Sequence, residues 1–172
     1  MTSSSPDQDT NHGRSRLDWA AFRELAPAAN AALLSLGEGI RGSGLELSLV
    51  ELANLRASQM NGCTFCTKFH LHHLRSLGVP QAKLDLVAAW RDADEIFTER
   101  ERAALAWTEV LTNLDREGAP DAAYEQVRAQ FSQAELANLT ATIAAINAWN
   151  RISIGFRFPP PIMPGESPRV KS

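Results

Sequence analysis

The sequence predicts an all-α fold built as a single-domain helical bundle. Three observations carry this reading. Apolar residues recur three and four apart through most of the chain, the spacing of a buried helical stripe. Two capping boxes, Thr98-Glu-Arg-Glu101 and Ser132-Gln-Ala-Glu135, stand ahead of apolar runs. No segment alternates apolar and polar residues over the length of a strand, and no Asn-Gly pair joins two β-branched runs. A chain of 172 residues is long enough for one domain with a substantial core.

Residues 1–14 are rich in Ser, Asp, Asn and Gly and predict a disordered N-terminus, which includes His12. Leu17 to Leu25 reads as a short amphipathic helix stopped near Pro27, and Ala28 to Leu36 as an Ala/Leu-rich helix ended by Gly37. Ser43 is placed to cap a longer helix from about Leu45 to Met60, with Leu45, Leu49, Leu52 and Leu55 on one buried stripe. Asn61-Gly62 breaks it. The next helix starts near Cys63 and ends at Gly78, ahead of Pro80. Gln81 to Ala89 is a further helical stretch, and the Thr98 box opens a helix through Leu111. Asp121, after Pro120, opens another, and the Ser132 box starts a long Ala-rich helix to about Ile152. The helical domain spans 15–157. Residues 158–172 hold five of the nine prolines and form an extended C-terminal arm, of the kind that lies on a neighbouring subunit.

The composition narrows the function. Apolar residues make up 44% of the chain, charged residues 22%, and the net charge is −3, with a pI near 5.8. Neither nucleic acid nor an anionic membrane is favoured as a partner by such a balance. No apolar run reaches the ~20 residues of a membrane span, and Met1 to Arg16 lacks the apolar core of a secretory signal. A cytoplasmic protein is expected. The two cysteines, Cys63 and Cys66, close too small a loop to act as a structural staple, because stabilisation grows with loop length. In a reducing compartment such a pair serves redox chemistry or a metal.

Placed on one helix, Cys63, Cys66 and His70 fall at about 0°, 300° and 340°, within one narrow face. Cys63 sits in the first turn, where the dipole and free N–H groups favour a thiolate. Cys66 and His70 are i and i+4, so an imidazole meets a thiol and can take its proton. These two effects point to different cysteines as the more acidic, and spacing does not choose between them. Glu51, one helix earlier and flanked by Val50, Leu52 and Ala53, is placed to orient His70 directly or through water. A zinc site on Cys63, Cys66, His70 and His73, with Glu51 in reserve, is the competing reading. Against it, ligands strung along one rigid helix span too far to converge on one ion. No metal or other cofactor is expected.

Glu51, the stretch Leu55-Arg-Ala-Ser-Gln-Met-Asn-Gly-Cys-Thr-Phe-Cys66 and His70 resemble the core of the alkyl hydroperoxidase D-like branch of the carboxymuconolactone decarboxylase superfamily. The match is specific over Glu51 to Gly78 and looser through Phe97 to Glu101 and Asn147 to Arg151. It implies an all-helical homotrimer or homohexamer with thiol peroxidase activity. In that scheme Cys66 attacks a hydroperoxide and becomes a sulfenic acid, and Cys63 resolves it to a disulfide. His70 is the base beside Cys66, and Glu51 completes the proton relay. An external dithiol, lipoyl-bearing in some relatives, returns the disulfide to thiols. The departure is Phe65, where the best-known members carry a second histidine; its loss removes one donor from the relay. The alternative function is a zinc-binding or redox-sensing module without turnover. His72 and His73 read as surface or interface groups, and Trp90, Trp107 and Trp149 as core or interface anchors. Asn147, Asn150 and Arg151 form a polar cluster that either crosses an interface or approaches the site helix.

Overall fold

The computed structural model describes residues 15–164 and 166, so the disordered segment expected over 1–14, with His12, lies outside the described residues. Among these, every regular element is helical. The order is α1 (Trp19–Leu25), α2 (Pro27–Arg41), α3 (Leu47–Met60), α4 (Thr64–Ser76), α5 (Gln81–Leu86), a 3-10 segment (Val87–Asp92), α6 (Glu99–Thr112), α7 (Asp121–Arg128) and α8 (Gln133–Phe156).

Local chemistry sets most of the boundaries. Both capping boxes form, Thr98 with Glu101 and Ser132 with Glu135, each satisfying two backbone donors at a helix start. Pro27 does not merely stop α1. It occupies the first turn of α2, where its missing N–H costs nothing. Gly37 does not end that helix either; α2 runs through Gly37 and Gly39 to Arg41. Ser43 accepts the Leu45 N–H at 3.3 Å, so it braces the turn before α3 while Glu46 takes the N-cap position. The helical stretch expected over 81–89 gives way after Leu86 to the 3-10 segment, which is itself kinked at Ala89, with φ of −115°.

α3 is the centre of the bundle, packing on α4, α6 and α8. It buries Leu49, Val50, Glu51, Leu52, Ala53, Leu55, Ala57 and Ser58, which is most of its circumference and more than the single stripe expected from the leucines. One apolar cluster lies between α3, α6 and α8 around Leu49, Leu139 and Ile143. A second joins α3 to α4, the 3-10 segment and α6 through Leu52, Leu55, Leu74 and Trp90. Glu51 therefore enters the interior because its helix is surrounded.

The proline-rich arm folds onto its own chain as far as it is described. Phe158 is buried, with its ring 6.1 Å from Phe22 and 5.6 Å from Phe65. Glu166 pairs with Lys68 of α4. Residues 165 and 167–172 of the arm lie outside the described residues. No helix among the described residues is long and apolar enough to cross a membrane.

Candidate functional site

The turn between α3 and α4 is set by two residues. Asn61 ends α3, and Gly62 takes φ of +70°, a left-handed conformation that costs glycine little. The Gly62 N–H donates to the Gln59 carbonyl and the Cys63 N–H to the Ser58 carbonyl, a Schellman ending. Cys63 then opens α4 as its N-cap, with extended backbone, and its Sγ accepts the Cys66 N–H at 3.3 Å. One residue thus closes one helix and starts the next. This corrects the placement of Cys63 in the first helical turn: its backbone is extended, one position ahead of the helix, while its sulfur stays against Cys66.

Polar side chains of α8 pin the turn from below. The Asn61 Nδ2 donates to Asn147 Oδ1 at 2.9 Å and to Asn150 Oδ1 at 2.8 Å. Asn150, fully buried, donates in turn to Ser58 Oγ at 3.1 Å. Of the two sequence alternatives for this cluster, the structure shows the approach to the site. A buried network of this kind holds geometry because each lost partner is costly.

Both thiols are free and buried, and they hydrogen-bond to each other. Their electrostatics are opposite. The Cys66 thiol, and after it the Cys66 backbone N–H, Ser153 and Asn150, stabilise negative charge on Cys63 against the cost of burial, and pull it down to about 7. The same hydrogen bond between the thiols, with burial and the charge on Cys63, pushes Cys66 above the ordinary thiol range. Of the two, the N-cap sulfur is the one that ionises more readily. Access runs the other way. Cys66 lines a cavity of about 240 Å³ together with Glu51, His70 and His73, whereas Cys63 lies outside that lining.

His70 and Glu51 are joined as the sequence expects: Nδ1 lies 2.6 Å from Glu51 Oε2, and both residues are buried. Three further members stand in places the sequence does not give them: His73 reads there as a surface or interface group or a zinc ligand and Trp149 as an anchor, and Ser153 is not singled out. His73 Nδ1 lies 3.7 Å from the other carboxylate oxygen, so Glu51 is flanked by two imidazoles; the signal was the three-residue step from His70 along one helix face. Ser153 Oγ is 3.6 Å from Cys66 Sγ, across a separation in sequence that no local pattern spans. Trp149 is a wall of the cavity as well as a packing partner of Phe22. His72 is not part of the cavity lining. Phe65 stacks on Phe69 at 6.5 Å, and Phe69 packs against the rings of both His70 and His73, at 5.3 and 4.3 Å. The position of the missing histidine is therefore an apolar wall. Among the described residues, no three His, Cys, Asp or Glu side chains converge to hold a metal ion.

The model of the carboxymuconolactone decarboxylase family matches residues 27–110. The uncharacterized protein YdfG of Bacillus subtilis (strain 168) is 31% identical over 134 residues, covering 78% of this chain and 90% of its own. A protein of unknown function from Agrobacterium tumefaciens, described as a candidate AhpD-type antioxidant defence protein, superposes with a TM-score of 0.81 at 38% identity. That match covers 87% of this chain and 100% of the other. The debrominase Bmp8, bound to a tribromopyrrole, shares the fold with a TM-score of 0.68 at 20% identity, over 79% of this chain and 72% of its own. The chain belongs to the carboxymuconolactone decarboxylase family, in its alkyl hydroperoxidase D-like branch.

Proposed function

We propose that this family member is a thiol-dependent peroxidase working through Cys66 and Cys63, with His70 and Glu51 as its proton relay. The observation that carries the reading is the shared cavity wall: Cys66, His70 and Glu51 line one cavity, with the imidazole held by the carboxylate at 2.6 Å. A hydroperoxide in that space meets Cys66. The sulfur attacks the terminal oxygen, the S–O bond forms as the O–O bond breaks, and the alcohol leaves with the proton given up by the thiol. His70, held by Glu51, carries that proton from sulfur to leaving oxygen. Cys63, hydrogen-bonded to Cys66, then attacks the sulfenic acid. Water leaves and the disulfide closes. An external dithiol, oxidised in its turn to a disulfide, restores both thiols.

The low proton affinity of Cys63 favours a second assignment, with Cys63 as the attacking sulfur. In the first assignment the N-cap sulfur, where ionised, takes the Cys66 proton, or leaves it to His70, once substrate is bound. It is then placed to resolve the product. Consumption of an organic hydroperoxide with excess dithiol separates the assignments. Cys66→Ser is expected to abolish turnover. Full activity in that variant contradicts the scheme.

A further inference from the structure

The cavity beside Cys66 is lined by one arginine that no carboxylate pairs with among the described residues. Much of its wall is apolar, with Trp19, Leu33, Phe65, Ile146 and Trp149 among its members. The ionisable groups on it are mostly engaged: Glu51 by His70 and His73, and Cys66 by Cys63. Arg41, the last residue of α2, is the exception. Among the described residues no carboxylate pairs with it. By contrast Arg56, Arg100, Arg102 and Arg128 each have a carboxylate oxygen within 3.1 Å. The dipole of α2 favours a cation at this end of the helix, and Arg41 is exposed there, so its N–H donors are held by water that a ligand can replace. A planar fork of donors beside an apolar cavity is matched by a carboxylate on a hydrocarbon body.

We infer that the cavity binds an apolar organic molecule carrying one carboxylate, with Arg41 taking the carboxylate and the aromatic wall the hydrocarbon. A dry cavity of about 150 Å³ accepts a benzene ring, so 240 Å³ suits a molecule of about ten heavy atoms. The substrate assignment rests on the peroxidase reading above. Under it, the peroxide is a hydroperoxy organic acid, and the product the corresponding hydroxy acid. Thiols lose two electrons and the O–O bond is cleaved as already balanced.

The binding claim is tested without turnover. Titration calorimetry of the reduced full-length protein compares octanoate with 1-octanol, which share the chain and differ in the charged head. Octanoate is expected to bind at least tenfold more tightly, and Arg41→Gln, shown to be folded by circular dichroism, to lose that preference. Equal affinities in the unsubstituted protein overturn the inference, as does a tenfold preference that survives Arg41→Gln. In parallel, the unsubstituted protein is assayed with tert-butyl hydroperoxide, which is small and neutral. Failure of that reaction removes the peroxidase reading and leaves the binding result standing. Equal affinities in the unsubstituted protein with that reaction intact overturn this inference and leave the peroxidase reading standing.

Discussion

Two carboxylates sit in adjacent helices of this bundle, and they do different work. Glu51 on α3 and Glu109 on α6 are about equally withdrawn from solvent, with side chains 11% and 15% exposed. Glu109 accepts the Trp90 indole N–H at 2.8 Å and is paired with Arg56 at 2.6 Å and with Arg91. Burial raises its carboxyl, but the indole and the two guanidinium groups outweigh burial and hold it below the usual carboxylate range. Glu51 instead faces two imidazoles. A guanidinium keeps its proton at any physiological pH, whereas an imidazole gives its proton up near neutrality. The partner decides the role: Glu109 ties α3, α6 and the 3-10 segment together with a fixed charge, and Glu51 adjoins a group able to pass a proton to a sulfur.

The comparison predicts a crossed pattern of effects. The largest belongs to Glu51→Gln, which keeps shape but removes the charge behind His70. The second-order rate constant for hydroperoxide reduction is expected to fall about a hundredfold, within the usual range for a positioned acid–base group, with the urea midpoint nearly unchanged. An unaltered rate breaks the functional half of the comparison. Glu109→Gln is the reciprocal case. Leaving Arg56 without its counter-charge in a half-buried setting costs about 3 kcal/mol, read as a lower urea midpoint, while thiol oxidation keeps its rate. A large loss of rate with stability intact would merge the two carboxylates into one role.

A smaller effect concerns the sulfurs. Thiolate absorbance is expected to rise through about pH 7 as Cys63 ionises. Removing its principal partner with Cys66→Ala is expected to move that midpoint up toward the ordinary thiol value of about 8.5. The sign follows from the hydrogen bond, which stabilises the charged form; a midpoint that stays or falls contradicts it. The smallest is Ser132→Ala at the capping box of α8, an exposed site far from either carboxylate. About 1 kcal/mol of stability is expected to go, with no change in thiol reactivity, and a greater loss would show that α8 depends on its first turn more than on its buried face.

Much of the fold was legible because its signals are local. The capping boxes at Thr98 and Ser132, the Asn61-Gly62 break and the Gly78 ending each depend on a few neighbouring residues, and each forms as read. The end of α2 was not legible: Gly37 signals a stop on propensity, but burial of Ile40 carries the helix past two glycines. In the site, the i, i+4 relation of Cys66 and His70 and the position of Glu51 before the turn were visible. Glu109 was not singled out, because its partners lie 18, 19 and 53 residues away in sequence. The same distance hid Ser153 and the part of Asn150 beneath the thiols. Cys63 shows the finer limit. A helical wheel treats it as one more helical residue, whereas it is the N-cap, with extended backbone, and is not among the residues that line the cavity.

The division of labour between the sulfurs is tested most directly by trapping. Cys63→Ser keeps an N-cap oxygen for α4 and removes the resolving sulfur. Exposed to one equivalent of an organic hydroperoxide with dimedone present, it is expected to gain one adduct, located by mass spectrometry on Cys66. An unlabelled Cys66 in that variant, with an adduct on Cys63 when Cys66→Ser is treated in the same way, contradicts the account.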